Sequence, residues 1–113
     1  MKSTIAERPR GQRPTGERQR IIAALKAHEA ELRVRGVTSL ALFGSIARGD
    51  GGARSDVDLL IQIDPAQAFS LVDLAGLRRY LRDLVGRSAD VTIKDNLRPF
   101  LRDAILADCV PVF

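Results

Sequence analysis

Asp56 and Asp58 open an apolar run, Leu59-Leu60-Ile61-Gln62-Ile63, and stand ten residues beyond a Gly44-Ser45 pair. In a strand, alternate side chains point to opposite faces. Asp56, Asp58, Leu60, Gln62 and Asp64 therefore share one face, and Val57, Leu59, Ile61 and Ile63 share the other. The second face is uniformly apolar and must be covered, whereas the first begins with two carboxylates held about 6 to 7 Å apart, close enough to repel. A divalent cation relieves that repulsion. Oxygen-only donors favour magnesium or manganese, and magnesium is typically held by one or two carboxylates together with a substrate's phosphates.

Upstream, Val37-Thr38-Ser39-Leu40-Ala41-Leu42-Phe43 reads as a strand running into Gly44-Ser45. A glycine there lets backbone approach a ligand and the serine supplies a hydroxyl donor, which is equipment for holding phosphate. By itself such a pair ends many strands that bind nothing, so its meaning comes from the carboxylates that follow. Arg48, three residues after Ser45, either counters phosphate charge or pairs with a nearby aspartate.

The whole stretch, Phe43-Gly44-Ser45-Ile46-Ala47-Arg48-Gly49-Asp50 followed by Arg54-Ser55-Asp56-Val57-Asp58-Leu59-Leu60-Ile61, resembles the signature of the minimal nucleotidyltransferases of the DNA polymerase β superfamily. The resemblance covers the chain from about residue 20 to its end. It implies that Ser45, with Gly44, contacts the terminal phosphates of a nucleoside triphosphate, and that Asp56 and Asp58 bind metal. It also implies a third carboxylate on a neighbouring strand, for which Ala89-Asp90-Val91-Thr92-Ile93-Lys94 supplies Asp90. Val91 and Ile93 point one way while Asp90, Thr92 and Lys94 point the other. If both strands bury their apolar sides together, Asp90 joins Asp56 and Asp58.

These residues need a scaffold, and the rest of the chain alternates helix and strand patterns. Thr15 or Gly16 is the expected start of a helix running to about Arg35, with Ile21, Ile22, Leu25, His28 and Leu32 at helical spacing and Gly36 as its terminator. Asp50-Gly51-Gly52-Ala53 reads as a turn. Asp64-Pro65 ends the second strand. Ser70 and Asp73 form a capping box for a helix to about Val85, burying Leu71, Leu74, Leu77, Leu81 and Leu84 and ending at Gly86. After strand 89–94, Asn96 is the expected cap of a last helix carrying Leu97, Leu101, Ala104 and Ile105. Cys109-Val110-Pro111-Val112 reads as a short strand, placed at an edge by its proline. The expected fold is α/β (α+β): a small mixed sheet with helices on one face, polymerase-β-like, and the acidic side left open.

A chain of 113 residues with 45% hydrophobic content suits one domain with a modest core. With no Trp, one Tyr and four Phe, that core is aliphatic. No apolar run reaches membrane-spanning length and the N-terminus lacks a secretory apolar segment, so a cytoplasmic protein without membrane attachment is expected. The lone Cys109 cannot form an internal disulfide and reads as a small buried residue. The net charge of +4 is uneven, because Arg8, Arg10, Arg13, Arg18 and Arg20 crowd the start. With Pro9, Pro14, Gly11 and Gly16, that composition predicts a flexible basic tail over residues 1–15, ahead of residues 16–113, which the resemblance implies are the minimal nucleotidyltransferase domain. The tail reads as a solubilising segment or as an electrostatic handle for RNA or an acidic protein; no nucleic-acid motif accompanies it. His28 reads as a packing or boundary residue, Asp50 and Asp64 as turn residues, and Arg78, Arg79, Arg82, Arg98 and Arg102 as solvated. Lys94, on the face of Asp90, is a further candidate for holding triphosphate.

The chemistry implied is in-line attack on the α-phosphate of ATP, with two Mg²⁺ ions about 3.5 to 4 Å apart held by Asp56, Asp58 and Asp90. No second domain binds an acceptor, so a partner must present it. The resemblance implies a small helical HEPN toxin, a ribonuclease silenced when AMP is transferred from ATP to one of its tyrosines. The chain then acts as antitoxin. Two other readings stand beside it: nucleotidyl transfer to a small molecule or an RNA end, and a non-catalytic antitoxin that occludes its partner.

Overall fold

The computed structural model describes residues 13–49 and 55–113. Residues 1–12 of the basic tail and the Asp50–Ala53 turn, with Arg54, lie outside the described residues. The first helix, α1 (Arg13–Lys26), starts earlier than predicted, since a proline such as Pro14 is tolerated in a first turn where backbone N–H groups have no helical partner. It also ends earlier. His28 N–H bonds Leu25 carbonyl at 3.1 Å, a three-residue tightening, and a separate helix α2 (Glu29–Val34) follows. His28 sits at that break, exposed, with Nδ1 3.0 Å from the Ala24 carbonyl and its ring edge-on to Tyr80. It is a boundary residue.

Strand β1 (Val37–Phe43) runs into a five-residue helix, α3 (Gly44–Arg48), which no helical periodicity in the sequence marks. Strand β2 (Val57–Ile63) is antiparallel to β1, with Phe43 opposite Asp58 and Ala41 opposite Leu60. Helix α4 (Leu71–Val85) has the predicted capping box, Ser70 accepting from Asp73 N–H and Asp73 from Ser70 N–H, and ends on Gly86. Leu77, Leu81 and Val85 are its buried residues. Leu71, expected in the core, is 83% exposed because it opens the first turn and lies outside the buried stripe.

Strand β3 (Ala89–Ile93) lies parallel to β2, and β4 (Val110–Pro111) lies antiparallel to β1, giving the order β3-β2-β1-β4. Pro111 thus occupies an edge strand, where its missing N–H costs no ladder bond. The end of the chain is stitched to β1: Val112 N–H donates to Leu40 carbonyl at 2.8 Å, and Leu40 N–H to Phe113 carbonyl at 3.2 Å. Between β3 and β4, Lys94–Asn96 forms a 3₁₀ turn and α5 spans Pro99–Asp108. Asn96 is not the cap. Pro99 at the start of α5 forces its predecessor Arg98 into extended backbone (ψ 145°), so the helix cannot begin before it.

The core lies on one face of the sheet, where Ile21, Leu25 and Leu32 of α1 and α2, and Leu77, Leu81 and Val85 of α4, pack against Leu40, Leu42, Val57, Leu59, Ile61 and Val91. Each such side chain contributes about 1.5–3 kcal/mol through burial. The alternation read from Val57 onward holds, with one addition. Leu60, on the acidic face, is also buried, and shares a small cavity with Leu106 of α5.

Candidate active site

Phe43 pairs with Asp58, so the chain leaves β1 at the level of the central carboxylate. Gly44 takes φ +78°, and a Cβ there would overlap Asp58 Oδ2. The residue must be glycine for two reasons, its left-handed backbone and the carboxylate packed against its Cα. Ile46 and Ala47 of α3 are buried, which anchors the short helix and leaves Ser45 half-buried and Arg48 exposed. Gly49 (φ +85°) closes α3. Two distant residues hold it: Arg18 of α1 donates from Nη1 to the Ala47 carbonyl at 2.7 Å, and Asp108 of α5 pairs with Arg48 at 3.3 Å. An aspartate partner for Arg48 is one of the two readings of that residue, though the partner lies sixty positions away; the contact from Arg18 is not legible in the sequence. In sequence Arg18 is only one of five arginines crowding the start of the chain.

The parallel register sets Asp58 beside Asp90, on strands about 4.8 Å apart. Asp56 lies just ahead of β2 and is exposed, as is Asp90. Asp58 is the partly sheltered member. Burial, then the charge of Asp90, then that of Asp56, push its carboxyl above the ordinary value of 3.8, and Arg48 pulls it back. Asp58 therefore senses both other aspartates and the arginine of α3, which joins all four residues in one electrostatic unit. Among the described residues no group of three His, Cys, Asp or Glu side chains already stands in metal-ligating arrangement. As donors, three carboxylates with Asp58 in electrostatic reach of the other two fit a hard divalent cation.

Lys94 lies in the 3₁₀ turn after β3, near enough to Cys109 to oppose the upward push that burial gives that thiol. Asp64 accepts from Ala66 N–H at 2.9 Å, a turn residue as predicted. Arg78, Arg79, Arg82, Arg98 and Arg102 are exposed. A larger cavity of about 530 Å³ lies between α2 and the start of α4, lined by Val34, Arg35, Phe69 and Val72 among others, away from the carboxylates.

The antiparallel β1–β2 pair with α3 between them, a parallel β3 carrying a third carboxylate, and a glycine molded around the central one define a nucleotidyl-transferring class of site. Residues 21–112 match the nucleotidyltransferase domain family, and the chain belongs to it; the protein is a nucleotidyltransferase. It is 35% identical over 95 residues to the protein adenylyltransferase MntA of Thermococcus cleftensis, covering 83% of this chain and 94% of that one. A solved minimal nucleotidyltransferase superposes with TM-score 0.66 at 31% identity, covering 87% of this chain and 94% of the other. A chain from a toxin–antitoxin crystal structure with AMP-PNP has the same fold, with TM-score 0.62 at 17% identity, over 85% of this chain and 72% of that one. Among the described residues no helix is long and apolar enough to cross a membrane.

Proposed function

We propose that this nucleotidyltransferase moves AMP from ATP to a tyrosine hydroxyl of a partner HEPN toxin and thereby acts as its antitoxin. The observation that carries this reading is the register of Asp58 with Asp90 directly beside the Gly44-Ser45 turn. Its support from relatives is the 35% identity to a protein adenylyltransferase across nearly that protein's whole length.

In this reading Ser45 donates its hydroxyl to the triphosphate, Gly44 lets backbone approach it, and Arg48 trades its ion pair with Asp108 for phosphate oxygens. Asp56, Asp58 and Asp90 would hold Mg²⁺, which supplies charge neutralisation at the phosphates and a lowered pKa for the attacking hydroxyl. The protein's own part is positioning: α3 fixes the leaving pyrophosphate, and the sheet face fixes the α-phosphate above Asp58. Such alignment converts a bimolecular reaction into an effectively unimolecular one. The relative that this chain matches over 94% of that protein's length is a protein adenylyltransferase. That favours a protein substrate over a small molecule or an RNA end.

The test is incubation of the chain and its co-purified partner with α-labelled ATP and Mg²⁺. Label enters the partner with the wild-type chain and is abolished by Asp56→Asn or Asp58→Asn. Labelling that persists in both variants refutes the assignment, and label on RNA or a sugar instead of protein redirects it.

A further inference from the structure

Past Asp58 the acidic face continues into a second compartment. Ala41 of β1 stands opposite both Leu60 of β2 and Pro111 of β4. Together with Ser39, Leu106 and Lys94 they line a cavity of about 120 Å³. Along the strands the order is fixed by register: Gly44-Ser45 at the end of β1, then the level of Phe43 and Asp58, then the level of Ala41 and Leu60. Displacement at phosphorus is in line, so the attacking oxygen enters opposite the leaving pyrophosphate. With the pyrophosphate held at Ser45, the entering side lies toward Leu60 and Ala41.

We infer that this cavity is the acceptor subsite and takes the aromatic ring of a tyrosine presented by a partner polypeptide, its hydroxyl directed back toward Asp58. The inference rests on the adenylyl-transfer reading above and adds the residues that select the acceptor. Leu60 follows Asp58 by two residues on one face, about 6.7 Å along the strand, which is the reach of a phenol laid along the sheet. Ala41, Leu60, Leu106 and Pro111 give the cavity an apolar lining suited to a ring, and Ala41 is the small residue that leaves room for it. A ribose with its base, or a polyhydroxylated sugar, would meet too little space and too few polar partners there. Lys94 puts a cation at the wall, where it favours a phenolate. In the step itself the phenolic oxygen bonds to the α-phosphorus as the bond to the bridging oxygen breaks. Pyrophosphate leaves with that electron pair, and the phenolic proton goes to solvent.

The experiment measures labelling of the native partner from α-labelled ATP by wild type, Ala41→Leu and Leu106→Trp, alongside binding of a non-hydrolysable α,β-methylene ATP. Both substitutions fill the cavity, and Leu106 is exposed enough for its variant to fold should Ala41→Leu fail. The expected result is a fall of about tenfold or more in kcat/KM for the partner with analogue binding unchanged, in the range that pocket-filling changes produce. Wild-type rates in both variants overturn the subsite while leaving adenylyl transfer standing. An equal loss of analogue binding also overturns it, since the cavity would then serve the nucleotide. If the wild-type chain labels no protein, the underlying reading falls and the acceptor subsite falls with it.

Discussion

Asp58 sits where three effects meet: partial burial, two neighbouring carboxylates that raise its pKa, and Arg48 that lowers it. The net shift is upward, so the folded chain binds the Asp58 proton more tightly than the unfolded chain does. Its contribution to stability is fullest below pH 3.8 and is lost as pH rises through the raised value. Asp58→Asn should therefore raise the melting temperature at neutral pH in EDTA, and flatten the pH dependence just above 3.8, in a thermal denaturation series. Adding Mg²⁺ should raise the melting temperature of wild type and leave the variant nearly unmoved; equal Mg²⁺ responses would argue against a cation at this carboxylate. The positions of the aspartates were legible because a strand's two-residue period depends on nothing distant. What could not be read was that Gly44 is shaped around Asp58, since contact between residues fourteen apart depends on how β1 and β2 align.

Among the elements, α3 is the one whose placement decides the site, and it is too short to hold itself. Isolated helices of this length are unstable in water, so packing of Ile46 and Ala47 and the bond from Arg18 must supply what propensity does not. Arg18→Ala should cost about 1.5–3 kcal/mol, the range for a hydrogen bond to a charged group, read by urea denaturation. It should also raise KM for ATP, because Ser45 rides on the loosened helix. A stability loss with KM unchanged would show that α3 keeps its place without α1. Neither the break between α1 and α2 nor the late start of α5 is marked in the sequence, for related reasons. Apolar spacing continues across the break at His28 without marking it, and the bar that Pro99 sets before α5 is weaker in sequence than the cap-like Asn96.

At the scale of the whole molecule, burial is concentrated on one side. Leu81 of α4 is fully buried in the core, whereas α5 buries no residue and leaves Phe100 71% exposed. Leu81→Ala should destabilise by about 2–5 kcal/mol, and Phe100→Ala should change stability by no more than about 0.5 kcal/mol. Midpoints of urea unfolding measure both. Similar losses would mean that α5 carries part of the fold rather than bordering the acidic face. The sheet order follows from the same asymmetry, since β1 and β2, the two strands at its centre, are the richest in buried residues. The last residues complete the structure by pairing with β1, a strand made some seventy positions earlier. Because β4 is held to β1 over only two residue pairs while Asp58 and Asp90 share the β2–β3 ladder, local fraying of β4 would open the wall at Pro111 and leave the carboxylates in register.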